Sequence, residues 1–140
     1  TALVGIHSGG AWVAQKLRQQ LGGALPLGTL DISFYRDDFS SIGLHPQVRP
    51  SDIPFAVDDA HIILIDDVLH TGRTVRAAMN ELFDYGRPAA IELAVLIDRG
   101  GRELPIAADL VGARLDLAPN QNIQVTLDPN NNLLLSLHER

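Results

Sequence analysis

The stretch His61-Ile62-Ile63-Leu64-Ile65-Asp66-Asp67-Val68-Leu69-His70-Thr71-Gly72-Arg73-Thr74 joins an apolar run to two adjacent carboxylates and a small polar turn. His61 to Ile65 is rich in β-branched side chains, short enough for a strand and apolar on both faces, as a central parallel strand requires. The run ends at Asp66 and Asp67, which are expected at the strand's carboxyl end. The turn His70 to Thr74 then leads into Val75, Ala78, Met79, Leu82 and Phe83, spaced as one apolar helical stripe that buries against a sheet. Gly86 is placed at C′ of this helix, and Pro88 stops it. Strand, turn and helix in this order predict an α/β fold with a mostly parallel twisted sheet flanked by helices. In such sheets ligands bind outside the carboxyl ends of the strands.

The turn supplies donors in a row: the hydroxyls of Thr71 and Thr74, the backbone N–H groups of residues 71 to 74, and a Gly72 backbone that a ligand can approach closely. A helix N-terminus carries unsatisfied N–H groups and partial positive charge, so a phosphate fits there. The carboxylates of Asp66 and Asp67 suit hydroxyl groups or a hard cation such as Mg²⁺. Acceptors for a diol beside donors for a phosphate fit a ribose 5-phosphate. Asp-Asp before a helix is also an ordinary capping pattern, and only the Thr-Gly-Arg-Thr that follows sets this case apart.

Working outward, Ala2 to Ile6 reads as a buried strand. His7-Ser8-Gly9-Gly10 follows, then a helical pattern of Trp12, Val13, Leu17 and Leu21 that Gly22-Gly23 ends. That glycine turn is either a second phosphate-sized pocket or a plain tight β-α turn. Thr29 to Tyr35 reads as another strand. Arg36 to Val57, with three prolines and little periodicity, reads as a long flexible loop, either a lid or disordered. Ala90 to Ile97 is the next parallel strand, and it delivers Asp98 and Arg99 beside the central motif. Three short runs close the chain: 109–115, 123–127 and 133–137. Asp128-Pro129-Asn130-Asn131-Asn132 marks a turn, so the last two runs form a hairpin.

At 140 residues the chain is most simply one domain, and 46% hydrophobic with 20% charged residues is ordinary globular composition. Cysteine is absent, which removes disulfides, thiolate catalysis and cysteine-ligated metals and suits a reducing cytoplasm. A net charge of −6 weighs against non-specific nucleic-acid binding. No apolar run approaches the length of a membrane span. His45, His61 and His138 have no partner spacing that suggests a metal site, and no Walker-type, G-x-G-x-x-G or H-E-x-x-H motif occurs.

The central stretch resembles the phosphoribosyl pyrophosphate (PRPP) motif of type I phosphoribosyltransferases: an apolar strand, two acidic residues, two apolar residues, a variable position and Thr-Gly-[Arg/Lys]-Thr. Tyr35-Arg36-Asp37-Asp38, Thr74 to Met79, Tyr85-Gly86-Arg87-Pro88 and Leu96 to Pro105 extend the resemblance to the PyrR family, the bifunctional pyrimidine operon regulators with uracil phosphoribosyltransferase activity. It runs from about Val4 to Leu137.

The resemblance implies a glycosyltransferase that converts uracil and PRPP to UMP and pyrophosphate with Mg²⁺, in the cytoplasm. Asp66 and Asp67 would hold the ribose hydroxyls or the metal, and His70 to Thr74 (His70, Thr71, Gly72, Arg73, Thr74) the 5-phosphate. His7, Ser8, Gly9, Gly10 and Arg36 would meet pyrophosphate, and Arg36 alternatively pairs with Asp37 or Asp38. Asp98 to Pro105 would form a small hood in which main-chain groups of Ile97, Asp98 and Arg99 read the base; a solvated turn is the other reading, and Asp98 could take a second Mg²⁺. His70 stands where purine-salvage relatives have an aspartate proposed as general base, so it either accepts the N1 proton or sits beside the phosphate.

The resemblance also implies a homo-oligomer, a dimer or higher, and a segment preceding Thr1. The family usually reads Thr-Arg-Gly where this chain has Ser8-Gly9-Gly10, so a pyrophosphate partner is lost, to be replaced by His7 or Arg36 or else at a cost in PRPP affinity. The alternative function is a nucleotide sensor that binds pyrimidine-operon RNA with little catalysis, using Arg73, Arg76, Arg99, Arg102 and Arg114.

Overall fold

The computed structural model describes residues 1–32 and 51–139. Strand β1 (Ala2–Ile6) leads through α1 (Gly9–Gln20) to β2 (Leu27–Leu30), and β3 (His61–Leu69) leads through α2 (Arg73–Phe83) to β4 (Ala90–Asp98). Then come β5 (Leu110–Arg114), β6 (Gln121–Leu127) and β7 (Leu133–Glu139). Five strands form one sheet in the order β2-β1-β3-β4-β5, and every pairing in it is parallel. β6 and β7 form the expected antiparallel hairpin, with Ile123 opposite Leu137 and Leu127 opposite Leu133.

The apolar run of β3 is buried from both sides because successive side chains alternate between the faces of the sheet. Ile62 and Leu64 join Val4, Ile6, Val75, Ala78 and Leu82 on the α2 side. Ile65 and the partly buried Ile63 join Leu3, Ala14 and Leu17 on the α1 side. The helices therefore cover opposite faces, and β1 and β3, from which they depart, are neighbours. That is a topological switch point, where the loops after the two strands diverge and leave a crevice.

The expected boundaries shift in three places. β3 does not stop at the carboxylates: it continues through Leu69, because Asp66, Val68 and Leu69 keep parallel pairing with Val95, Ile97 and Asp98. β2 covers Leu27–Leu30 in place of 29–35, since β1 offers partners only from Leu3 to Ile6; residues 33–35 lie outside the described residues. α2 ends at Phe83 with Asp84 as its C-cap, so Gly86 falls one position beyond C′. Most of the expected loop 36–57 is likewise outside the described residues. Its end returns as Asp52, which exchanges two 2.8 Å backbone hydrogen bonds with Thr29 on the outer edge of β2.

Candidate active site

The alternation that buries Ile62 and Leu64 on one face and Ile63 and Ile65 on the other continues into the acidic pair. Asp66 is directed to the α2 face and Asp67 to the α1 face. Each lines its own cavity. Asp66, Val68, Leu69, His70, Thr71, Gly72, Thr74 and Val75 surround a pocket of about 170 Å³ at the start of α2. Asp67 lies in a cleft of about 540 Å³ with His7, Ser8, Gly9, Trp12, Val68, His70, Arg99 and residues 122–126. Val68 and His70 line both, so the two cavities meet at the end of β3.

The smaller pocket is roomy enough for a phosphate group and is walled by a helix start. Gly72 caps α2 with φ 96°, a left-handed conformation that favours glycine, and a Cβ there would also lie 3.0 Å from Ile106 Cγ1. The first-turn N–H groups that follow have no intrahelical acceptor. Arg73 N–H donates to Thr71 Oγ1 at 3.2 Å. Arg73 itself departs from its expected place: its guanidinium donates to Glu103 at 2.8 Å outside the pocket, because the helix start points residue 73 toward the neighbouring loop.

The carboxylates are held by their own backbone. Asp66 Oδ1 accepts from Asp67 N–H and Asp67 Oδ1 from Val68 N–H, each at 2.8 Å. Asp66 is buried, with 5% exposure. Asp67 Oδ2 lies against Gly9, where an added Cβ would stand 2.1 Å from it. Of the expected pyrophosphate residues, His7, Ser8 and Gly9 line the cleft. Gly10 instead packs against the Ile65 carbonyl, and Arg36 lies outside the described residues. His70 Nδ1 faces the Gly100 carbonyl at 3.1 Å; a carbonyl only accepts, so Nδ1 carries the hydrogen there and Nε2 is the basic nitrogen of the neutral ring.

The hood is built differently from expectation. Residues 98–105 pack against the His70–Thr74 turn, with Glu103 N–H and Leu104 N–H both donating to the Thr71 carbonyl at 2.9 and 3.1 Å. The wall over the cleft is β6 of the hairpin, held by Arg99, whose Nη1 and Nη2 donate to Asn122 Oδ1 and the Gln121 carbonyl at 3.3 and 3.2 Å. Arg99 Nε is buried without a hydrogen-bond partner among the described residues. The main chain of Ile97 to Arg99 is engaged as well: Ile97 and Asp98 pair with β3 and β5, Arg99 N–H donates to Leu69 and the Asp98 carbonyl accepts from Leu115. β6 lines the cleft from Asn122 to Thr126, with Ile123 and Val125 buried and polar residues at 122, 124 and 126, and it faces His7, Ser8, Asp67, His70 and Arg99 together with Trp12 from α1. No motif marks the β6 residues. Their one signal in the sequence is the polar alternation 122, 124, 126 against Ile123, Val125 and Leu127.

Both carboxylate oxygens of Asp98 are taken up by protein donors. Oδ2 accepts from Arg102 Nη2 at 2.7 Å and Arg114 Nη1 at 3.0 Å, and Oδ1 from Gly100 N–H at 2.9 Å. The Arg102 hydrogen bond holds its carboxyl below the usual range against the opposing effect of burial, helped by Gly100 N–H and the charges of Arg102 and Arg114. Among the described residues no three His, Asp or Glu side chains converge to cage a metal. Asp67 suits Mg²⁺ in the manner usual for that ion, one or two carboxylates completed by substrate oxygens and water. None of the described helices is long and apolar enough to cross a membrane.

The phosphoribosyl transferase domain family matches residues 1–130. The bifunctional protein PyrR of Nitrosococcus oceani is 63% identical over 127 residues, 89% of this chain and 72% of that protein. PyrR of Pseudomonas putida is 60% identical over 123 residues, covering 88% and 72%. Among solved structures, a hypoxanthine phosphoribosyltransferase from Staphylococcus aureus superposes with a TM-score of 0.60 at 23% identity, over 82% of this chain and 61% of that one. A hypoxanthine-guanine phosphoribosyltransferase from Bacillus anthracis gives 0.64 at 19% identity, over 86% and 68%. At these identities the structural likeness speaks for the fold.

Proposed function

Because this chain belongs to the PyrR family of phosphoribosyltransferases, we propose that it is a uracil phosphoribosyltransferase, joining uracil to PRPP to give UMP and pyrophosphate. One observation carries this reading. The acidic pair sits at the switch point with a small pocket at a helix start on one side, a larger open cleft on the other, and His70 where they meet.

The 5-phosphate occupies the Thr71–Thr74 turn, received by the start of α2 and the threonine hydroxyls. This remote binding orients the reacting ribose carbon. Asp66 and Asp67 face the ribose hydroxyls, and their negative charge stabilises the positive charge that develops on the ring. His7, Ser8 and Gly9 face the leaving pyrophosphate. Asp67 would hold Mg²⁺ together with substrate oxygens, and the ion would supply charge neutralisation for the leaving group. Uracil N1 forms the new bond to the ribose carbon as the bond to pyrophosphate oxygen breaks, and His70 is the candidate acceptor of the N1 proton. Uracil lies in the cleft against Trp12 and β6, where amide and hydroxyl side chains match its carbonyl acceptors and N–H donors.

The regulatory half of the relatives' bifunctional name extends the proposal to pyrimidine-operon RNA. Net charge and arginine geometry oppose a broad basic face: Arg73, Arg99, Arg102 and Arg114 are all engaged within the chain. Binding to a leader RNA that stays undetectable at low salt would remove that half and leave the enzyme. Exposed Leu110, Leu134, Leu135 and Leu137 favour self-assembly.

The decisive experiment measures nucleotide formation from PRPP and Mg²⁺ with uracil, orotate, hypoxanthine or adenine, alongside Asp67→Asn. Turnover with uracil alone, lost in the variant, is expected. Turnover with a purine would overturn the base assignment, and nucleotide binding without turnover would favour a sensor.

A further inference from the structure

One arginine outside both cavities ties three backbone segments together at the edge of the smaller one. Arg102 Nη2 donates to Asp98 Oδ2 at 2.7 Å, Nη1 to the His70 carbonyl at 2.9 Å and Nε to the Ile106 carbonyl at 2.8 Å. The side chain is 25% exposed and Asp98 5%. A planar guanidinium with its donors directed this way fixes relative positions as well as charge. Asp98 ends β4, and its second partner Arg114 is 72% exposed, so Arg102 is the more firmly held of the two. The His70 carbonyl immediately precedes Thr71, whose own carbonyl accepts from Glu103 and Leu104 N–H. The backbone that opens the turn is thus held from outside by residues 102–104, and Arg102 carries the contact that reaches into the sheet.

We infer that Arg102 is a positioning residue: it holds the His70–Thr71 backbone in the shape that receives the substrate's 5-phosphate and does not touch the substrate. The inference rests on the phosphate reading of that turn. It also removes Arg102 from the groups available to RNA phosphates, since its donors are already directed at three protein acceptors.

Steady-state kinetics with PRPP test it in three variants: Arg102→Met, Arg114→Met and Thr74→Val. Arg114→Met removes the other partner of Asp98 and leaves the His70 contact intact. Arg102→Met is expected to raise KM for PRPP about tenfold, the loss for a charge-assisted hydrogen bond, with kcat changed less than about threefold and KM for uracil unchanged. Arg114→Met should keep the native KM for PRPP, and Thr74→Val should raise it. Equal effects of the two arginine variants, or a loss of kcat with no change in KM, would reduce Arg102 to a stabilising ion pair. No effect of Thr74→Val would remove the phosphate reading beneath it. If Arg102→Met does not fold, Arg102→Gln, which keeps an amide donor toward His70, serves in the same comparison.

Discussion

Asp67 Oδ2 packs so closely on the Gly9 backbone that residue 9 has no room for a side chain: a Cβ there would lie 2.1 Å from the oxygen and 2.6 Å from Cγ. Where the sequence treats Gly9 as the loss of the family's usual arginine, the structure couples that position to the carboxylate. Restoring the cation by Gly9→Arg is therefore expected to displace Asp67 and lower kcat/KM, roughly 100-fold if the carboxylate moves by about 1 Å. Increased PRPP affinity with undiminished turnover would show that the two positions are independent.

The opposite orientations of Asp66 and Asp67 predict different outcomes for matched substitutions. Asp67→Asn, in the open cleft, should lose roughly 100-fold in kcat with little change in thermal midpoint. Asp66→Asn changes a buried group that accepts from Asp67 N–H, so it should lower stability as well as activity. Thermal melts recorded beside kinetics separate the two, and identical behaviour would contradict the two-cavity arrangement.

Because the Asp98 carboxyl is held below its usual range, first by the Arg102 hydrogen bond, the folded state binds fewer protons there than the unfolded state. Its contribution is complete above the unfolded value near pH 4 and declines as pH falls through the folded value. Asp98→Asn should therefore flatten the acid limb of a stability-pH curve below about pH 4. At neutral pH it should cost about 3 kcal/mol, the lower end for breaking a buried pair, since Arg102 is partly exposed. Denaturant titrations across pH measure both.

Base selection should follow β6. Asn122→Leu removes a wall group of the cleft and one acceptor of Arg99. KM for uracil is expected to rise about tenfold or more while KM for PRPP holds. Gly72→Ala should do the reverse, raising KM for PRPP, because its φ of 96° disfavours any Cβ. A crossed result would reassign the two cavities.

Much of this was legible in the order of residues. Ala2–Ile6 as the first strand, α2 from its apolar stripe, β4 and the closing hairpin all follow from local periodicity and turn chemistry. The turn before α2 was legible because glycine, threonine and a helix start lie consecutively. The hood was not, because a wall made by β6 depends on pairing and packing between residues over twenty positions apart, such as Arg99 and Asn122. For the same reason the sequence did not show that Asp98, which it offered as an alternative metal ligand, is enclosed by Arg102 and Arg114.

The sequence by itself determined that a strand rich in β-branched residues leads to two carboxylates and a glycine-threonine turn that opens a helix, because periodicity and turn preference are properties of neighbours along the chain. Only the tertiary structure decided that Asp66 and Asp67 serve different cavities, that Gly9 must be bare to seat Asp67, and which arginines are bound to protein. Those depend on which face of the sheet each helix covers and on what lies opposite each side chain, and these are distances in space.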